Sequence, residues 1–144
     1  MITLHIKYHK ASNTFQATDE FENNITFKAD REIVPVAPVS SGQSLGPMLG
    51  LLMACGACSG IDIVMILEKQ RQAFESLEII VSGERETDKI PALWRTVDIA
   101  YHLSGEIALE KAERAAALSV EKYCSVLETL RRAGATVTFS VTTH

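Results

Sequence analysis

The chain has 144 residues, 47% of them hydrophobic and 22% charged, and carries a net charge of −4. This length suits a single domain, residues 1–144, which can bury roughly 68–70% of its extended-chain surface and so needs no staples. Acids and bases are interspersed without a Lys/Arg run, which argues against a dedicated nucleic-acid or anionic-membrane surface.

Met1 leads straight into an alternating pattern rather than a basic and then apolar leader, so no secretory signal is expected. Three cysteines are an odd number and do not read as a disulfide framework. A reducing, cytoplasmic compartment is the default expectation.

Ile2–Tyr8 alternates Ile2, Leu4, Ile6 and Tyr8 against Thr3, His5 and Lys7, the pattern of a half-buried strand. Lys10–Asn13 is turn-like, and Thr14–Thr18 returns as a second strand. After the turn at Glu22–Asn24, Ile25–Phe27 forms a third. Residues 1–30 are therefore expected to make an antiparallel meander. Ile33–Val39 holds two prolines and reads as an extended connector, followed by a loop at Ser40–Ser44.

Leu45–Leu67 is almost wholly apolar, with Asp62 its one acid. About 20 such residues can span a bilayer. Four glycines dilute the apolarity, however, and Asp62 would cost about 2.5–3.5 kcal/mol near a helix centre in lipid. A buried helix over about residues 46–72 is expected instead, with Pro47 in its first turn, Ser44 as a candidate cap and a polar end at Glu68–Gln72.

Residues 76–142 are expected to add ββααβ. Ser76–Ser82 is a strand, Gly83–Lys89 a charged turn, and Pro91–Leu103 a second strand-like run broken by Ser104-Gly105. Ile107–Leu118 is rich in helix formers. Ser119 is read as the cap of a further helix whose spacing puts Val120, Tyr123, Cys124, Leu127 and Leu130 on one buried stripe. Gly134 ends it, and Thr136–Val141 closes the fold as a strand.

The layout is α+β. A helix apolar on all sides must be covered on all sides. A second copy of the chain is the natural cover, so a homodimer with a core-like interface is expected.

Three readings of Cys55-Gly56-Ala57-Cys58 are open. A redox pair would sit at a helix N-terminus, where the dipole lowers a thiol pKa, whereas this one lies inside the apolar helix. A zinc site would need further ligands, such as Cys124 with His5, His9 or His102. As plain core residues, all three cysteines would be small buried hydrophobes.

The run GPMLGLLMACGACSGIDIVMILEKQRQ followed by LEIIVSGERE resembles the central helix and next strand of the OsmC/Ohr family, with GACSGIDI matching a G-x-C-[ST]-x-x-D-[VI] core. The later run LSVEKYCSVLETLRRAGATV resembles that family's second-cysteine helix, 66 positions on from Cys58 to Cys124. The resemblance implies an OsmC-like fold: antiparallel sheets around a buried central helix in an intertwined homodimer with its sites at the subunit interface. It also implies a cysteine peroxidase acting on small apolar alkyl or fatty-acid hydroperoxides in oxidative-stress defence, with no metal and no cofactor. Cys58 would be the peroxidatic thiol and Cys124 the resolving one; their disulfide would be reduced by an external dithiol. Cys55 has no part in that scheme and reads as core.

A thiol with an ordinary pKa is only about 3% thiolate at pH 7, and burial lowers that fraction. The family supplies an Arg from the N-terminal sheet, oriented by a Glu ahead of the cysteine. Here Met48 and Leu49 stand at the acid's place. The basic candidates upstream are Lys7, Lys10 and Arg31, and Asp62 could orient a cation in place of the acid. An alternative to catalysis is a dimer that binds an apolar ligand or senses oxidation.

Overall fold

The computed structural model describes residues 1–28 and 47–144. The expected connector at Ile33–Val39, the Ser40–Ser44 loop with its candidate cap, and Arg31 lie outside the described residues.

The first three strands are β1 (Ile2–His9), β2 (Thr14–Thr18) and β3 (Asn24–Lys28). The long helix α1 (Pro47–Lys69) comes next, then β4 (Ala73–Arg85), β5 (Trp94–Glu106), α2 (Leu109–Leu118), α3 (Ser125–Arg132) and β6 (Thr136–Thr143). A π-helical turn, Ser119–Tyr123, continues α2 toward α3. The strands form one six-stranded sheet in the order β3-β2-β1-β4-β5-β6.

Every neighbouring pair is antiparallel except β5 and β6, which run parallel. The sheet is thus mixed where antiparallel sheets were expected. The reason is connectivity: α2, the π turn and α3 carry the chain back along the sheet, so β6 enters in the direction of β5. The β4–β5 hairpin is also longer than its local signals imply. Gly83–Arg85 and Ser104–Glu106 stay in their strands, and β5 starts at Trp94 rather than Pro91.

Alternation along the strands builds one apolar face. Register lines up Ala17, Ile6, Ile79 and Tyr101 across four strands, all four buried. α1 lies on this face, and two glycines set how closely. A Cβ on Gly56 would collide with Ile6 Cδ1, and one on Gly60 would come within 2.5 Å of the Phe15 ring and 2.7 Å of Ile79 Cδ1. Leu52, Met53, Ile63 and Leu67 complete the contact, each fully buried and worth about 1.5–3 kcal/mol. Trp94 Nε1 donates to the Met48 carbonyl at 3.0 Å and fixes the start of the helix.

α1 is long and apolar enough to cross a membrane by length and hydropathy alone, yet half of that stretch is buried within the fold. Among the described residues nothing covers all of its outer face. Its outer face leaves Leu51 39% and Met65 50% exposed. α3 ends as expected at Gly134 (φ +108), with Ala135 N–H donating to the Leu130 carbonyl and Gly134 N–H to that of Arg131.

Candidate active site

Cys58 sits midway along α1, half-buried, on the same outward-facing side as Asp62 one turn later. Opposite it the chain does something its residue spacing does not announce. Cys124 N–H donates to the Ser119 carbonyl at 2.8 Å, the i→i−5 bond of a π turn. The chain then leaves helical geometry at Cys124 (φ −72°, ψ 104°) and re-enters it at Ser125. Ser119 is therefore the first residue of the π turn rather than a cap. Cys124 is the residue before α3 instead of a member of a continuous stripe, and Tyr123 is 52% exposed. The extra residue of a π turn rotates the chain beyond it, so a helical spacing of 3.6 misplaces those residues.

This break aims the start of α3 at α1. Three groups there lower the Cys58 thiol: the Cys124 thiol most, then the backbone N–H groups of Val126 and Ser125. Those N–H groups belong to the first turn of α3, where no intrahelical acceptor exists and the helix dipole is positive. Together they hold the Cys58 thiol down at about 6, against burial and the Asp62 charge, which both push it up. At pH 7 such a thiol is about 90% thiolate. A cation was expected to do this work. Among the described residues a helix N-terminus and a second thiol do it instead.

Cys124 is buried and shifted the opposite way, chiefly because its proton is held by the Cys58 thiolate and also by burial. Cys55, fully buried one turn before Cys58, is pushed up to about 12 by burial and then by the neighbouring Cys58 charge, so it stays a protonated core thiol.

A hydroxyl network backs the pair. Tyr101 donates to Ser59 Oγ at 2.7 Å, and Ser59 Oγ donates to the Gly56 carbonyl at 3.2 Å. Ser119 donates to Asp62 Oδ2 and to the Ser59 carbonyl, both at 3.0 Å. Burial raises the Asp62 pKa and the Ser119 hydroxyl partly offsets it. Sequence reasoning missed Tyr101 and gave Ser119 a different role; the only hint was that Ser59 directly succeeds Cys58.

The remaining candidates lie elsewhere. Lys7 is exposed on the sheet face away from α1, lining a groove with His5, Gln16 and Glu78. Strand alternation sends it opposite to Ile6, so it does not reach Cys58. Lys10 Nζ donates to the Phe74 carbonyl at 3.0 Å and lies over the Phe74 ring.

The histidines are not with the thiols either. His5 faces Glu78, His9 Gln16 and His102 Thr142. Among the described residues no three His, Cys, Asp or Glu side chains gather as a metal site. A cavity of about 530 Å³ opens between α1 and the π turn, lined by Asp62, Met65, Ile66, Lys69, Leu118 and Tyr123 among others; neither Cys58 nor Cys124 lines it.

Residues 40–140 match the model of the family described as OsmC-like protein. The chain belongs to the OsmC-like family. Protein YhfA of Escherichia coli K12 is 38% identical over 95 residues, spanning 65% of this chain and 70% of YhfA.

Among solved structures, a hypothetical protein from Aquifex aeolicus VF5 is 27% identical with a TM-score of 0.63, over 98% of this chain and 96% of that one. An organic hydroperoxide resistance protein from Elizabethkingia anophelis superposes with a TM-score of 0.60 over 100% of this chain and 96% of its own, at 9% identity. The last likeness is one of fold. The OsmC-like α+β fold is shared across them.

Proposed function

We propose that this OsmC-like protein is a cysteine peroxidase that reduces small apolar organic hydroperoxides, alkyl or fatty-acid, as a cytoplasmic homodimer in oxidative-stress defence. The observation that carries the reading is Cys58 on α1 facing the N-terminus of α3, where Cys124 stands and the thiol is lowered to about 6. A thiolate is the nucleophile that peroxide cleavage needs, and a second thiol in contact with it is what the ensuing sulfenic acid needs.

Cys58 attacks the peroxide and becomes a sulfenic acid. Cys124 condenses with it to a disulfide, which an external dithiol then reduces by exchange. The cavity that reaches Asp62, one turn from Cys58, has apolar walls at Met65, Ile66 and Leu118 that suit the substrate's tail. The half-exposed Leu51 and Met65 on the outer face of α1 support a second copy as its cover.

The test adds one equivalent of an alkyl hydroperoxide to reduced protein, then tracks peroxide loss and maps disulfides by mass spectrometry. The expected product is a Cys58–Cys124 bridge with stoichiometric peroxide consumption. No bridge and no consumption would overturn the peroxidase reading. A Cys58→Ser variant that still consumes peroxide would overturn the assignment of roles.

One observation favours a second reading, a non-catalytic dimer that binds an apolar ligand or senses oxidation. Among the described residues no cation stands at Cys58. A bridge that forms without catalytic turnover in excess dithiol would select that reading.

A further inference from the structure

We propose that the cavity along α1 is an acyl-chain subsite, and that Lys69 at its far end selects hydroperoxides carrying a remote carboxylate. The subsite rests on the peroxidase reading above for its reaction. It narrows the substrate to long-chain acids oxidised about a dozen carbons from the carboxylate.

The cavity of about 530 Å³ runs along α1 from Asp62 past Met65 and Ile66 to Lys69 and Gln70, with Leu118 and Tyr123 as its other wall. Its two ends carry opposite charge. Asp62, which accepts the Ser119 hydroxyl at 3.0 Å, repels a second carboxylate. Among the described residues no carboxylate lies within ion-pair reach of Lys69. An anionic amphiphile is therefore favoured in one sense only, with its head at Lys69 and its tail toward Asp62.

Gln70 adds to the head-group end. Its Oε1 is buried with no hydrogen-bond partner among the described residues, an arrangement that costs free energy. Turned over, the amide offers an N–H that a carboxylate oxygen accepts.

A helix C-terminus by itself disfavours an anion. Here the carbonyls of Ile66, Leu67 and Glu68 already accept from the N–H groups of Gln70, Gln72 and Arg71. The Glu68 side chain lines a separate cleft with Tyr8 and Lys10. Lys69 is the charged side chain that the cavity meets at that end.

Helix geometry sets the length the ligand needs. Cys58 and Lys69 lie on the same helix, about 16 Å apart along its axis at about 1.5 Å per residue. Cys58 does not line the cavity, but Asp62 at the near end stands one turn from it. With C–C bonds of about 1.5 Å zigzagging at tetrahedral angles, about a dozen carbons cover that distance. A short alkyl hydroperoxide can reach Cys58 but leaves Lys69 unused.

The test measures peroxide consumption by the reduced full-length protein with linoleic acid 13-hydroperoxide, its 9-hydroperoxide isomer and the methyl ester of each, all kept below micellar concentrations. For the 13-hydroperoxide, kcat/KM is expected to be roughly fivefold higher with the free acid than with the ester, the size an exposed ion pair supports, and to act through KM. Lys69→Gln is expected to erase that preference and Lys69→Arg to keep it. Lys7→Gln, which removes the same charge from the far face of the sheet, is expected to leave it intact. The advantage of the acid should shrink for the 9-hydroperoxide, whose two polar groups are too close together to engage both ends.

A wild-type protein indifferent between acid and ester would overturn the subsite. So would a preference that survives Lys69→Gln, or one lost equally in Lys7→Gln. An equal advantage for both isomers would overturn the length requirement. Calorimetric binding of myristate against methyl myristate separates the subsite from the peroxidase reading. Lys69-dependent myristate binding in a protein that consumes no peroxide would overturn the peroxidase and leave the subsite standing. Active consumption with no Lys69-dependent binding would do the reverse.

Discussion

The Ser119 hydroxyl lies 3.0 Å from Asp62 Oδ2 and 3.0 Å from the Ser59 carbonyl oxygen. One proton thereby ties the π turn that ends at Cys124 to the helix that carries Cys58. Both partners on α1 lie within one turn of the thiol, so the contact sets the spacing between the two cysteines. Ser119→Ala removes it and leaves a part-buried carboxylate without that donor. The expected cost is about 1–3 kcal/mol in urea denaturation, together with slower disulfide formation after peroxide addition. An unchanged rate of bridging would show that the turn is held without this bond.

Asp62 bears on Cys58 by charge. Its carboxylate pushes the thiol upward, so Asp62→Asn, which keeps an oxygen for Ser119, should move Cys58 down. The pH profile of Cys58 alkylation by iodoacetamide is expected to shift acidward. A shift toward alkaline pH would mean that Asp62 works through a cation instead.

The thiols also couple stability to pH. Cys58 goes from 9.0 to about 6 on folding, so between those values the unfolded chain binds more protons and stability rises with pH. That contribution is fully present above pH 9 and is lost as pH falls through 6. Cys55, moved from 9.0 to about 12, has the opposite sign and erodes stability as pH rises from 9 to 12. The difference in Tm between reduced wild type and Cys58→Ala should grow from pH 6 to pH 9. A flat difference would mean that Cys58 is not ionised in the folded protein.

Two glycines of α1 should respond oppositely to alanine. At Gly60 a Cβ meets the Phe15 ring at 2.5 Å and Ile79 Cδ1 at 2.7 Å. Gly60→Ala forces the helix off the sheet at about 1–3 kcal/mol, more than the gain in helix propensity recovers. At Gly50 no atom of the described residues lies within 4 Å, and Gly50→Ala is expected to stabilise by about 0.5–1 kcal/mol. Thermal unfolding of the pair reads both signs.

The proposed homodimer makes its own demand on α1. Met65, 50% exposed on the outer face, would be buried by a second copy. Met65→Lys is therefore expected to yield a monomer by sedimentation while secondary structure is retained. A wild-type protein that sediments as a monomer at micromolar concentration would end the dimer proposal.

Residue order alone carried the features that depend on local period and chain economy. The alternation of Ile2, Leu4 and Ile6, the long apolar run closed by polar residues, Gly134 after α3 and the βββαββααβ order all arise from patterns within a few residues. The family motif around Cys58 belongs with them, because it too is contiguous.

Only the folded chain decided how the thiol is activated. The N–H groups of Ser125 and Val126 carry no side-chain signature, and they act on Cys58 because a π turn reorients the chain at Cys124. Backbone donors are the same in every residue, so their direction is a property of the fold rather than of the residue types. For the same reason a lysine on β1 looked able to serve Cys58 until strand alternation turned Lys7 to the far side of the sheet. The apolar helix that presents Cys58 could be recognised one residue at a time; the charge on its sulfur depends on where another helix begins.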